Sequence, residues 1–416
     1  MQILYVCSDF GIPVYGHKGA AIHLRAMARA LTDLGHRVCV LSPSTEREAN
    51  LDFDVPVRTL APPPEHVALT KEIRHVDKAL GTMLSGHEAR VGQEVRNLLY
   101  GRTVAQAGPL LDDLHVDFVY ERYALLSFGG GELARNLGVP HLLEVNAPLV
   151  LEQQRARGLQ LRDLALEIEH RVWRQADALL VVSAELRDHA LETGVAPERV
   201  HVVPNGVDAC RFVAPVDARA RARAEIGLGT GPVIGFVGSL KTWHGTDVLL
   251  QAFAALRGRH PDAVLLFVGD GPMRQRLEQQ AAGLGVASRV RFTGAVDHTR
   301  VPELLAAMDV ATAPYLPSED FYFSPIKVYE YMAAGLPVVA SRIGQVRELT
   351  DAGWVTAVEP GDVAALEQAL ERLLDDPRAC KAQAERAREW ALRERTWSAN
   401  ARRLVGLGTS LIAART

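Results

Sequence analysis

Lys327 and Glu330 stand three residues apart in the stretch "FYFSPIKVYEYMAAGLPVVAS", residues 321 to 341. That spacing on a helix puts a cation and a carboxylate on one face. Ser324 followed by Pro325 reads as a helix start, a hydroxyl cap and then a proline at the first helical position, and Gly335 reads as the stop. The predicted helix is short, about 325 to 334, with both charges near its N-terminal end. A surface ion pair, worth only a few tenths of a kcal/mol, is the plain alternative. Against it, "LPVVAS" follows at once and has the continuous apolar character of a strand covered on both faces. The first helical turn then sits at a strand-end rim, where ligands bind. A cation there can hold a phosphate, and a carboxylate can accept from two vicinal hydroxyls, as on a ribose.

Two further loops carry polar residues where strands end. The loop "GIPVYGHKGAA" has glycines at 11, 16 and 19 and leads into a helix start, where free N–H groups and the helix dipole favour an anion. It lacks the G-x-G-x-x-G spacing of a dinucleotide fingerprint, and glycine used only for a tight turn explains it as well. The loop "FVGSLKTWHG" puts Ser239, Lys241 and His244 at the mouth of another strand. The bland reading makes Lys241 a solvated lysine and His244 a polar cap of the next helix.

Those loops need a scaffold, and the chain supplies one twice. "ILYVCSD" is a continuous apolar run, Ile22, Leu24, Met27, Leu31 and Leu34 then recur at helical spacing before Gly35, and "RVCVLSP" is the next strand. This is a β-α-β unit, hence parallel strands joined by a right-handed crossover. "DFVYERY", "PHLLEVNA" and "ALLVVSAEL" add strands, and residues 65 to 105 read as helical. The pattern breaks into Pro, Gly and charged residues around "VVPNGVDACRFVAPVDARARARAEIGLGTGP", the expected linker. Alternation resumes with "VIGFVGSL", "AVLLFVGDG", "RVRFTG" and "VATAPY". The expected fold class is α/β in two parallel-sheet domains, 1 to 205 and 206 to 395, with a last helix, about 396 to 416, free to pack back onto the first.

With 416 residues and 48% hydrophobic content the chain can build two ordinary cores. A net charge of −4 gives no electrostatic footprint for nucleic acid, which is not an expected partner. Cys7, Cys39, Cys210 and Cys380 are scattered without a C-x-x-C, so a reducing cytoplasm and no structural metal are expected. No secretory signal and no apolar run of membrane length is visible. Lys71, Arg74, His75 and Lys78 recur at helical spacing. They can meet anionic lipid heads in peripheral association with the inner membrane face, though a solvated face fits the same spacing.

"SPIKVYEYMAAGLPVVAS" with the following "IGQVREL", together with "FVGSLKTWHGTDVLLQAF", "VPNGVD" and the N-terminal glycine loop, resembles the retaining glycosyltransferases of family four, which have the GT-B fold. The match runs in order over nearly the whole chain. The resemblance implies two Rossmann-like domains facing a cleft, with the last helix crossing back. It implies a UDP- or GDP-type nucleotide sugar held mainly by the C-terminal domain, and a hydroxyl-bearing acceptor, saccharide, lipid-linked or small molecule, held mainly by the N-terminal one.

Carried over by position, Glu330 matches the glutamate that binds the donor ribose. Lys241 lies in the diphosphate loop, and Gly19 and Ala20 match backbone amides that approach the diphosphate. Three positions depart from the pattern. Tyr322 stands where a second motif glutamate is common, which leaves Tyr322, Phe323 and Ser324 to hold the sugar by backbone groups and shape. Ser239 and His244 stand where an arginine and a lysine are usual, so Lys241 and Lys327 supply the positive charge. Asn146 replaces a histidine often found near the reacting centre. Glu144 beside it is a candidate nucleophile or base, weighed against a satisfied polar residue at a strand end, and His17 is a third acceptor-side candidate.

The implied reaction is metal-independent and uses no other cofactor. The departing diphosphate is stabilised electrostatically and itself takes the acceptor's proton, so no protein base is required. Two alternatives use the same fold: a nucleotide-sugar epimerase, which needs a base and no second substrate, and a non-catalytic sugar-nucleotide-binding protein, suggested by Tyr322. A glycoside hydrolase needs a carboxylate pair on opposite sides of a bond, and the sequence offers no such assignment.

Overall fold

The computed structural model describes every residue except 17–18, 44–52, 84–90, 213–214, 216 and 416. The chain divides into two compact units, Met1–Pro204 with Trp397–Thr416, and Asn205–Thr396. Unit 1 holds seven strands: β1 Gln2–Cys7, β2 Arg37–Ser42, β3 Val57–Thr59, β4 Phe118–Arg122, β5 His141–Val145, β6 Ala178–Val181 and β7 Val200–Val202. Unit 2 holds six: β8 Val233–Val237, β9 Val264–Val268, β10 Val290–Phe292, β11 Val310–Ala313, β12 Val338–Ser341 and β13 Thr356–Val358. Every pairing between these strands is parallel. The cause lies in the composition of the strands. β1, β4, β5, β8 and β9 are buried at every position, so both sheet faces must be covered by helices, which crossover connections provide. The α/β class expected from the alternation is the one observed.

Sheet order fixes where a ligand can enter. Unit 1 runs β3-β2-β1-β4-β5-β6-β7, and unit 2 runs β10-β9-β8-β11-β12-β13. In each, successive connections leave in opposite directions from two adjacent strands, β1 and β4 in the first and β8 and β11 in the second. Divergence of the chain at such a switch point opens a crevice beyond the strand ends. The loop after β1 is the glycine loop. The loops after β8 and β11 carry Ser239, Lys241 and His244 on one side and lead to Tyr322, Ser324 and Lys327 on the other.

The last helix, Trp397–Ala413, is part of unit 1. Its Trp397, Ala401 and Leu404 join Leu24, Met27 and Leu31 of helix Gly19–Asp33 over one face of the sheet. The segment expected to be helical at 65 to 105 forms helices Pro64–Met83 and Val91–Ala105, and Lys71, Arg74, His75 and Lys78 are all exposed on the first.

At Gly408 the last helix lies against the sheet with no room for a side chain. A Cβ there would lie 2.6 Å from Phe118 Cε1, on a ring that is fully buried in β4. In an ordinary helix interior Gly→Ala gains up to about 1 kcal/mol, but overpacking a rigid ring costs about 1–3 kcal/mol. Gly408→Ala should therefore lower the urea midpoint of unit 1, and an equal or higher midpoint would show that the helix yields at no cost.

Candidate functional site

In unit 2 the loop after β8 is pinned by its own backbone. Gly238 N donates to Val268 O at 2.9 Å, Leu240 N to Asp270 O at 2.9 Å, and Met273 N to Leu240 O at 3.0 Å. The turn Thr242–His244 then closes on Gly245 (φ +60), which begins helix Thr246–Leu256. A Cβ on Gly245 would stand 1.8 Å from Pro314 O, so no other residue lets this loop meet the one after β11. Lys241 Nζ lies over the exposed Trp243 ring, 4.5 Å from its centroid.

His244 Nδ1 lies 2.5 Å from Ser239 O. A carbonyl can only accept, so Nδ1 carries the proton and Nε2 presents a lone pair. Burial first, and then the charge of nearby Lys327, push the imidazole down to about 3 despite its bond to Ser239 O. At neutral pH this side chain is therefore uncharged.

Across the crevice, helix Ile326–Ala333 starts and stops within a residue of expectation, with Gly335 left-handed at φ +75 after its end. Its start differs in chemistry. Pro325 is the N-cap and no side chain caps the turn. Ser324 Oγ is drawn away to accept from Asn205 N at 3.1 Å, a tertiary bond that outcompetes the local one. The predicted hydroxyl cap is thus corrected: Ser324 ties the start of unit 2 to the helix start.

Lys327 and Glu330 do not form the surface ion pair considered from sequence. Lys327 Nζ is buried and has no hydrogen-bond partner among the described residues. It lies 4.3 Å from the Phe236 ring centroid and 5.5 Å from that of Tyr315. Burial pushes the amine down to about 7, with Glu330 opposing the shift and Lys241 adding to it. Glu330 is buried, and its Oε1 lies 2.8 Å from His298 Nε2. Arg211 in turn reaches His298 Nδ1 at 2.9 Å. Neither Arg211 nor His298 was among the residues expected here. Both lie in turns with no helical or strand periodicity, and only the fold brings them to Glu330. Tyr322 and Phe323 are partly exposed, Phe323 packing on Phe321 with 4.0 Å between centroids.

In unit 1, Gly19 and Ala20 form the first turn of helix Gly19–Asp33. Nothing among the described residues comes within 4 Å of where a Gly19 Cβ would be, so the approach to this turn is open. Arg25 clamps the preceding loop by donating to Val14 O and Gly16 O at 2.5 and 2.8 Å. His17 lies outside the described residues.

Glu144 ends β5 with all four lone pairs engaged. Oε1 accepts from Arg122 NH1 at 2.8 Å and from Asn146 Nδ2, and Oε2 accepts from the Tyr120 hydroxyl and lies 3.1 Å from His23 Nε2. Burial opposes the carboxylate charge, but His23, Arg122 and Tyr120 overcome it and hold the acid well below its usual range. Of the two readings weighed for this group, the geometry fits the satisfied polar residue at a strand end and not the base or nucleophile. It has no free lone pair, and Asn146, its neighbour, spends its amide on it.

Two Rossmann-like parallel-sheet units, the second with a charged strand-end rim, are the architecture of the GT-B fold. The chain belongs to the group 1 glycosyltransferases: residues 18–206 match the glycosyl transferase 4-like domain and residues 231–376 match the group 1 glycosyl transferase domain. It is 34% identical over 254 residues, 60% of this chain and 66% of the relative, to a protein of Mycolicibacterium smegmatis named GDP-mannose-dependent alpha-(1-6)-phosphatidylinositol monomannoside mannosyltransferase. It is 30% identical over 418 residues, 95% of this chain and 92% of the relative, to a glycogen synthase of Mycobacterium tuberculosis. The fold matches the crystal structure of Anabaena HepE in complex with UDP and glucose at a TM-score of 0.71, with 20% identity over 98% of this chain and 99% of that one. The protein is thus a glycosyltransferase, and the epimerase and non-catalytic alternatives are not favoured. Among the described residues no helix is long and apolar enough to cross a membrane.

Removing one member of a buried ion pair leaves its partner's charge stranded, at a cost of about 3–5 kcal/mol. Glu144→Gln should cost unit 1 that much, read by urea unfolding at pH 7. Because the folded-state acid is held below its ordinary value of 4.5, its contribution is complete above that pH and is lost as pH falls further. The gap between wild type and variant should therefore narrow in acid, and a variant as stable as wild type at pH 7 would sink the anchor role.

Proposed function

We propose that this glycosyltransferase takes its sugar from a nucleoside diphosphate sugar, UDP- or GDP-linked, held by unit 2. It passes that sugar to a hydroxyl of a saccharide, lipid-linked or small-molecule acceptor, with retention at the anomeric carbon and without a metal ion. Lys327 carries this reading. A buried ammonium with no partner of its own, on the rim of a switch-point crevice, is a site built for an anion that arrives from outside. A diphosphate fits it, with Lys241 as the second, more exposed cation and Glu330 one helical turn away as acceptor for the ribose hydroxyls. The named donor of the M. smegmatis relative and the UDP held by Anabaena HepE support the same donor class.

Retention is what the family resemblance implies, and the state of Glu144 agrees with it. An inverting displacement needs a base to deprotonate the acceptor, and the carboxylate at the end of β5 is saturated and a poor base. The departing diphosphate oxygen can take that proton instead, on the face from which it leaves. Lys327 and Lys241 then stabilise the charge that develops on the leaving group. Tyr322 and Phe323 remain the residues nearest in sequence to the sugar-reading position, and Ser239, His244 and Ser324 line the loops around it.

The donor reading has a pH signature. The groups facing the Lys327 amine are Glu330, Lys241, His244, Phe236 and Tyr315. Of these His244 is already neutral, and a nucleotide sugar has no ionisation near pH 7. Donor binding requires the protonated amine, which is complete below about 7 and lost above it. Affinity for UDP- or GDP-sugars, by calorimetry, should be flat at pH 6 and fall about tenfold per unit well above pH 7. Lys327→Met should bind weakly and show no such slope. Turnover with an acceptor should survive EDTA and give product of unchanged anomeric configuration by NMR. If no sugar nucleotide binds, or affinity ignores pH in wild type, the donor reading fails.

A further inference from the structure

Glu330 has two carboxylate oxygens, and unit 2 treats them differently. Oε1 faces His298 Nε2 at 2.8 Å, while Oε2 has no partner among the described residues and is not sealed from solvent. Which of the two can serve a ligand is decided by His298. Arg211 NH1 sits 2.9 Å from His298 Nδ1, and a guanidinium can only donate. Nδ1 is therefore the acceptor and the ring proton stands on Nε2, pointing at Glu330. A protonated imidazolium would turn an N–H toward the guanidinium, so Arg211 selects this tautomer.

The ring is itself held. His298 begins the turn His298–Arg300 after β10, and Asp297 caps that turn, its Oδ1 accepting from Thr299 N at 2.8 Å and from Thr299 Oγ1 at 2.5 Å. Val301 next to the turn is buried in the unit 2 core. A capped turn thus fixes the imidazole, Arg211 fixes its proton, and the proton fixes the carboxylate plane.

We propose that His298, locked by Arg211, is a positioning residue for the nucleoside sugar of the donor: it immobilises Glu330 through Oε1 so that Oε2 is presented to the vicinal 2′- and 3′-hydroxyls. This rests on the donor reading given above. A carboxylate oxygen already oriented loses less rotamer entropy when the diol arrives, and a diol that is absent leaves that oxygen with nothing to accept. The Arg211–His298 lock therefore makes unit 2 selective for ribonucleotides over deoxyribonucleotides.

The test compares UDP and GDP with their 2′,3′-dideoxy counterparts by calorimetry on the full chain. Wild type should bind the ribo form at least tenfold more tightly than the dideoxy form. His298→Ala should weaken the ribo form by about tenfold and leave the dideoxy form unchanged, with no further loss when Glu330→Ala is added. His298→Gln keeps an N–H at the position of Nε2 and should restore part of the difference, and Arg211→Met should reduce it in the same direction. If His298→Ala is too unstable to measure, the Gln and Met variants carry the comparison. Equal weakening of both nucleotides, or of neither, overturns the role of His298 while leaving the donor reading intact. Failure of wild type to bind either diphosphate overturns the donor reading and this proposal with it.

Discussion

An ammonium group taken out of water without a hydrogen-bond partner costs a fold several kcal/mol. Unit 2 carries that cost at Lys327, and the rim around it is arranged accordingly. The amine has relieved part of the cost by falling to about 7, which lets it give up its proton near neutral pH. Phe236 and Tyr315 offer ring faces instead of acceptors. Gly238 lacks a side chain, and a Cβ there would stand 2.9 Å from the lysine Nζ. A core lysine placed for stability alone would have been paired or replaced by methionine at no loss.

Unit 1 shows the opposite treatment of a buried charge. Glu144 is as deeply placed, yet Arg122, His23, Tyr120 and Asn146 answer every lone pair. Such a network rigidifies the end of β5 and the base of helix Gly19–Asp33, because His23 belongs to that helix and packs on Trp397 with 4.5 Å between ring centroids. The contrast is a useful criterion. A buried ion with its valence filled holds the fold, and a buried ion with its valence open waits for a ligand.

How legible all this was in sequence depended on range. Apolar runs covered on both faces announced strands such as β1 and β8, and glycines at 35 and 335 announced helix ends, because the signals lie within a few residues of their effect. Lys327 and Glu330 were found by their spacing and by the strand that follows. The Ser324 cap was misread because a partner 119 residues away, Asn205, takes the hydroxyl. His298 and Arg211 could not be seen for the same reason: 87 residues separate them, and each sits in an irregular turn. The saturation of Glu144 was equally hidden, since three of its four partners come from β4 and the helix after β1. Local chemistry was readable, whereas the assignment of a charged residue to fold or to ligand waited on tertiary contacts.

The cations on the rim of unit 2 are kept apart, one on each side of the crevice. Two cations in one poorly solvated crevice repel, and here Lys327 helps to keep His244 uncharged. With Ser239 neutral as well, the loop after β8 contributes Lys241, and Lys327 stands on the first turn of the facing helix, three residues from Glu330 on a rigid scaffold. Cβ atoms at that spacing on a helix stand about 5–6 Å apart, so the spacing between the bases of the two side chains is set by helix geometry rather than by a mobile loop. On the donor reading proposed above, the pair would hold diphosphate and ribose together, which leaves discrimination among sugars to Tyr322, Phe323 and the loop that precedes them, the part of the rim built from aromatic packing instead of charge.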